Sequence, residues 1–390
     1  DVYKRQWNIC PSAEESLLFQ CAPVSSFVAR LKKLTLKGMH AMKYQQLGRT
    51  DIKVSNIALG TMTWGEQNTE AQAHAQLDMA IAAGVNLIDA AEMYPVPPKP
   101  ETQGLTERYL GSWLKKSGKR DQLIIATKAA GPARLPHQPR HVRNGQTSFD
   151  RTSLTEALHG NLERLQTDYI DLYQLHWPDR SVNIFGRQNY THFPDEDTVP
   201  IAETLSVLAD FVKQGKIRYI GVSNETPWGL SQFLRASEQL NLPRIVSIQN
   251  PYSLVNRYFE IALSEFSHQE QIGLLAYSPL AFGVLSGKYL NGARPADGRI
   301  TLFERFVRYK APQVETAVAA YVALAHKHGL DPAQMALAYV NTRPFLTSTI
   351  IGATTLQQLQ SNLDSINLEL DESVLNGIEE IHNRHANPAA

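Results

Sequence analysis

Cysteine is nearly missing from this chain. Of 390 residues only Cys10 and Cys21 are cysteine, and both lie within the first 41 positions. From Met42 onward the chain therefore has no disulfide, no thiolate-held zinc and no thiol nucleophile. A reducing compartment, the cytoplasm, is the expected location, and no metal site is expected. An excess of either charge is missing too: 38 Lys+Arg stand against 38 Asp+Glu. Without a basic surplus, neither nucleic acid nor an anionic membrane surface is expected as a partner. No run of 18 apolar residues occurs, which excludes a membrane-spanning helix. No Gly-x-Gly-x-x-Gly follows an apolar run, so the phosphate loop of a Rossmann fold is lacking. The stretch 283–289, Gly-Val-Leu-Ser-Gly-Lys-Tyr, has the wrong spacing for a Walker A loop and lacks its final Ser or Thr.

The first 41 residues differ from the rest. The sequence starts at Asp1 rather than Met, and its early apolar stretch is broken by Pro11, Glu14, Glu15 and Pro23, unlike a secretory signal. Arg30, Lys32, Lys33 and Lys37 occur with no acid after Glu15, a pattern shared with transit peptides. The expectation is a non-native or disordered extension over 1–41, upstream sequence translated by mistake, followed by one domain over 42–390. Met42-Lys-Tyr-Gln-Gln-Leu47 reads as the opening strand of an N-terminal β-hairpin.

What is present is rhythm. Short apolar runs lie at 57–59, 85–88, 123–126, 170–175, 217–222, 245–248, 272–277 and 347–351. Such runs suit strands buried on both faces of a parallel sheet. Helical patterns separate them. Thr69 and Gln72 read as a capping box with Gly84 as the stop, and Ser153 and Glu156 as another before the stripe Leu154, Leu158, Leu162 and Leu165. Leu205, Leu208, Phe211 and Val212 form a stripe ended by Gly215, and further helices are expected over 313–328 and 372–382. Eight strand–helix units define a (β/α)8 TIM barrel. The polar inserts 131–150 and 179–200 follow its third and fourth strands as long loops on the catalytic face, placed to form a lid.

Barrel enzymes work at the C-terminal ends of their strands. Asp89 and Tyr94, Lys128, and His176 stand there on three neighbouring units. Singly, each has an ordinary reading. Asp89 caps a helix, and Tyr94 packs a loop beside Pro95, Pro97 and Pro98. Lys128 pairs with an acid or forms a Schiff base, and His176 is structural. Jointly they suit carbonyl reduction. A lysine charge lowers the pKa of a neighbouring phenol, a carboxylate steadies the lysine, and an imidazole orients a substrate oxygen.

The run Asn86-Leu-Ile-Asp-Ala-Ala-Glu-Met-Tyr94 resembles the aldo-keto reductase superfamily. So do Ile125-Ala-Thr-Lys128, Leu175-His-Trp-Pro178, Gly215-Lys-Ile-Arg-Tyr-Ile-Gly-Val-Ser-Asn224, Gln249-Asn-Pro-Tyr252 and Ala276-Tyr-Ser-Pro-Leu280. The resemblance extends from Met42 to about His385 and is nearest to the bacterial Tas-type reductases, through 94–103 and 287–292. It implies reduction of a small-molecule aldehyde or ketone with NADPH. Tyr94 is then the acid, supported by Lys128, Asp89 and His176. Ser223, Asn224 and Gln249 hold the carboxamide, and Tyr277 stacks on the nicotinamide. Ser278, Leu280, Gly283, Ser286 and Lys288 line the pyrophosphate and ribose. Gly352, Thr354, Gln358 and Asn362 hold the adenosine end. Two positions depart from the pattern. No Lys or Arg follows Gly352, which leaves Lys288 or Arg299 for the 2′-phosphate, and Ser361 stands where an acid is common. Trp64, Trp177 and Tyr94 suggest an aromatic cleft. Two rivals remain: a regulatory subunit on the same barrel, as in potassium-channel β subunits, and a Lys128-dependent aldolase.

Overall fold

The structure, a computed structural model, describes residues 42–134, 138–187, 189–194 and 196–389. The expectation about 1–41 falls outside them. Eight parallel strands close a barrel in the order β10-β3-β4-β5-β6-β7-β8-β9. They are β3 (Ile57–Gly60), β4 (Leu87–Asp89), β5 (Ile124–Ala129), β6 (Ile170–Leu175), β7 (Ile217–Ser223), β8 (Ile245–Pro251), β9 (Gly273–Tyr277) and β10 (Leu346–Ile351). Each of the eight apolar runs contributes to one of them. β6, for example, is buried along its whole length, as helices outside and side chains inside demand.

The N-terminal hairpin, β1 (Tyr44–Gln46) and β2 (Lys53–Ser55), pairs antiparallel with Tyr44 opposite Ser55. Its Leu47, Ile52 and Val54 pack against Ala58, Leu87, Ala126, Leu172, Val246 and Leu275, which plugs the N-terminal mouth. The turn needs Gly48: its φ is +56°, and a Cβ there would lie 2.5 Å from the Val246 carbonyl oxygen. A second, larger core lies between barrel and helices.

Helix starts follow their caps. Thr69 and Gln72 form the expected capping box at Glu70–Ala82. The box read at Ser153 does not exist. Asp150 caps Arg151–Leu165 by accepting from the Ser153 amide, so the helix begins earlier and Ser153 is already inside it. Leu154, Leu158 and Leu165 are buried as the stripe requires, with Leu162 partly so. Among the described residues no helix is long and apolar enough to cross a membrane, and no group of three or more His, Cys, Asp or Glu is placed to hold a metal.

The two inserts are tied down at the C-terminal face. Arg143 pairs with Glu92 at 2.9 Å and donates to the Ala130, Gln146 and Ser153 carbonyls. Arg134 of the first insert bonds Asp179 and Glu196 of the second.

Candidate active site

β4 ends on Asp89, β5 passes through Lys128, and His176 follows β6 directly. Parallel register brings them together. Lys128 is wholly buried, with Nζ 2.7 Å from Asp89 Oδ2 and 2.7 Å from the Ala90 carbonyl. The other carboxylate oxygen of Asp89 accepts from Gln249 Nε2 at 2.8 Å and from Gln174 Nε2 at 3.1 Å. This buried pair is thus closed on every side by hydrogen bonds, which such a pair requires. Above it, Lys128 Nζ lies 5.1 Å from the centre of the Tyr94 ring. Tyr94 meets His176 edge to face at 5.5 Å. His176 is held through its backbone, whose amide donates to Ala129 and whose carbonyl accepts from Asn224 Nδ2 at 2.9 Å. Its Nδ1 has no hydrogen-bond partner.

Electrostatics modify the reading from sequence. The Tyr94 phenol lies well above its ordinary pKa, because burial dominates and the Asp89 charge adds to it. The opposing cation is Arg299. The expected depression by Lys128 does not appear, since Asp89 at 2.7 Å compensates that charge. Burial, seconded by Lys128, holds His176 well below its usual range, so its ring is neutral.

Over this corner opens a cleft of about 670 Å³. Asp89, Tyr94 and His176 line it, while Lys128 lies beneath its floor. All the residues expected to hold a cofactor line it as well. At one end Ser223, Asn224, Gln249 and Tyr277 form a network. Ser223 Oγ donates to the Gln249 carbonyl at 2.8 Å, and the Tyr277 hydroxyl donates to Asn224 Oδ1 at 2.7 Å. Gln249 sends its amide hydrogens inward, to Asp89 and to Gln174 Oε1, so its Oε1 is the atom left for a ligand. Burial pushes the Tyr277 phenol up to about 12.

The loop after β9 forms one long wall. Ser278, Ala281, Phe282 and Gly283 all have positive φ, a concentration of unusual backbone in a segment that lines the cleft. Gly283 is required: besides φ +87°, a Cβ there would stand 3.1 Å from Lys288 Cε. Ser286 Oγ donates back to the Gly283 carbonyl, and Leu280 lines the cleft with them. At the far end Thr354 donates its amide and its hydroxyl to Gln358 Oε1, each at 3.0 Å, and Asn362 bonds the Gly352 carbonyl. Lys288 and Arg299 border the cleft with lowered pKa values, Arg299 to about 10, burial being the main cause. Covered cations with no carboxylate in ion-pair contact and an open polar rim suit an elongated phosphate-bearing ligand.

Two points differ from the sequence reading. Trp64 does not wall the cleft: it is fully buried, and its indole N–H bonds Gln76. Conversely, Phe185, Arg305, Phe306, Arg308 and Tyr309 line it unforeseen. For the last four the signal was an Arg-rich, aromatic-rich stretch over 299–309 containing a single acid, Glu304. It has no strand or helix periodicity to place it.

Comparison with known proteins agrees with this construction. The model of the Aldo/keto reductase family matches residues 56–383. The chain is 56% identical over 348 residues to Protein tas of Escherichia coli (strain K12), spanning 89% of this chain and all of that one. It is 31% identical over 344 residues to Uncharacterized oxidoreductase YrpG of Bacillus subtilis (strain 168), spanning 87% and 96%. To Aldo-keto reductase of Babesia bovis it is 37% identical over 256 residues, spanning 62% and 88%. The chain belongs to the aldo/keto reductase family, of Tas type, and is an oxidoreductase.

Proposed function

We propose that this protein reduces aldehydes or ketones to alcohols with NADPH, Tyr94 giving its proton to the carbonyl oxygen. One observation carries the reading: a buried, protonated phenol and a neutral imidazole meet edge to face on the floor of a cleft, above a closed Lys–Asp pair. Ser223, Asn224, the Gln249 oxygen and Tyr277 would hold the nicotinamide. Ser278, Leu280, Gly283, Ser286 and Lys288 would hold the pyrophosphate and ribose, and Gly352, Thr354, Gln358 and Asn362 the adenosine. Lys288 and Arg299 supply the positive charge for phosphate. When bound, the reduced nicotinamide supplies the hydride.

The chain's own residues do the rest. Neutral His176 donates one N–H to the substrate oxygen and so orients it beside the Tyr94 hydroxyl. Because the phenol's pKa is raised, its proton is in place at neutral pH. As negative charge grows on the carbonyl oxygen, the Tyr94 O–H bond breaks and the new O–H bond forms. The phenolate left behind is eased by Arg299, while Lys128, paired with Asp89, holds the floor beneath the ring in place. The aldolase reading is disfavoured. A Schiff-base lysine must reach the substrate as a free amine, whereas Lys128 Nζ is bonded to Asp89 and Ala90 below the floor. Following NADPH absorbance with a panel of aldehydes and ketones tests the proposal. Substrate-dependent oxidation is expected, and its complete absence across the panel would overturn it.

A further inference from the structure

Arg308 has no place in the scheme above, yet it stands at the catalytic end of the cleft. Two contacts locate it. Its guanidinium lies beside the Tyr277 phenol, whose ionised form it favours against the effect of burial. Its stem crosses Gly186, where an added methyl group would touch its Cβ, Cγ and Nε at 3.5 Å. Next to Gly186, Phe185 meets Trp177 edge to face at 6.1 Å, and Trp177 lies 5.0 Å from His176. Arg308 is therefore joined to the Tyr94–His176 corner by an apolar wall.

Charge pairing singles it out. Arg120, Arg134, Arg143, Arg164, Arg180 and Arg257, all substantially covered, each hold a carboxylate. Among the described residues no carboxylate forms an ion pair with Arg299 or Arg308, and Lys288 feels only Asp297, outside ion-pair distance, although all three cations line the cleft. A covered cation without a partner costs free energy unless a ligand completes it. In the proposed function the cofactor phosphates complete Lys288 and Arg299. Nicotinamide carries no anionic group, and the residues assigned to the pyrophosphate start beyond Tyr277. The Arg308 charge is thus left for the substrate.

We propose that Arg308 binds a carboxylate of the substrate, so that the preferred substrates are keto acids or aldehyde acids with an apolar or aromatic body. The body lies along Trp177 and Phe185, the carbonyl at Tyr94 and His176, and the carboxylate takes one or two guanidinium N–H bonds. The carboxylate is unchanged in the reaction. The carbonyl gains a hydride and the Tyr94 proton. This inference rests on the reductase reading, and its test separates the two.

The test pairs 4-carboxybenzaldehyde with methyl 4-formylbenzoate, at saturating NADPH, in wild type, Arg308→Gln and Arg308→Lys. Wild type is expected to favour the acid about ten- to a hundredfold in kcat/KM, mainly through KM, as a charge-assisted bond predicts. Arg308→Gln should bring that ratio near one, and Arg308→Lys should keep part of it. Independently of turnover, calorimetry should show benzoate binding wild type at least about tenfold more tightly than benzamide, and Arg308→Gln should abolish the difference. A wild-type ratio near one, or equal binding of benzoate and benzamide, overturns the proposal. So does an Arg308→Gln variant that keeps the ratio while binding NADPH more weakly, which would assign Arg308 to the cofactor. If neither these aldehydes nor any member of the wider carbonyl panel is reduced, the reductase reading fails, and the benzoate titration still decides the role of Arg308.

Discussion

The two sides of the cleft treat charge in opposite ways. On the barrel side, Lys128 and Asp89 are buried and mutually satisfied, and Gln174 and Gln249 fill the remaining positions of the carboxylate. On the loop side, Lys288 and Arg299 are covered cations with no carboxylate in ion-pair contact, only Asp297 acting on Lys288 from farther off, and burial lowers both pKa values. The first arrangement is complete in itself and supports an acid. The second is incomplete until an anion arrives. A protein that pairs its charges in one place and leaves them open in another marks where a ligand belongs.

Changes on the barrel side should have the largest effects. Tyr94→Phe is expected to lower turnover about 10²- to 10⁴-fold while NADPH affinity, read by fluorescence titration, is retained. Turnover close to wild type would remove Tyr94 as the acid. Lys128→Met breaks the closed pair and leaves Asp89 buried and uncompensated. Urea denaturation should show a loss of about 3–5 kcal/mol. Adding Asp89→Asn to that variant should recover much of the stability and none of the turnover.

The same substitution on the loop side should act the other way. Lys288→Met removes a partly buried cation that has no ion-pair contact, so the ligand-free protein should melt at or slightly above the wild-type temperature. Its NADPH affinity should fall about ten- to a hundredfold, the worth of a charge-assisted phosphate contact, with a smaller loss for NADH. A large drop in melting temperature without NADPH would erase the contrast between the two sides.

The smallest expected effect depends on pH. Burial depresses the His176 pKa far below that of the unfolded chain, so between those two values the unfolded state binds more protons. Stability therefore rises with pH through this window and falls on acidification below about 6.5, by at most about 1.4 kcal/mol per pH unit from this one group. His176→Gln should make the stability-versus-pH curve flatter than wild type between pH 5 and 6.5. Parallel curves would show that His176 is not held neutral.

Much of this was legible in the sequence, for local reasons. Mostly apolar runs such as 170–175 suit strands covered on both faces, and eight of them spaced by helical patterns suit a closed barrel. Because a parallel barrel sends every strand end to one rim, Asp89, Lys128 and His176 were bound to meet. The charge on Tyr94 was not legible. It depends on whether Lys128 spends its charge on the phenol or on Asp89, and a distance of 2.7 Å decides for Asp89. Trp64 read as a wall residue because aromatic character is local, but its burial against Gln76 is set by packing between distant segments. Arg308 was passed over for the converse reason. The loop 299–309 carries no periodic pattern, and its course over Tyr277 and Gly186 comes from contacts between elements far apart in the chain. The sequence by itself thus determined which backbone elements form and which residues stand at their ends, since both follow from side-chain periodicity. Only the tertiary structure decided which charges are paired and which are left open, because pairing depends on distances that no local pattern encodes.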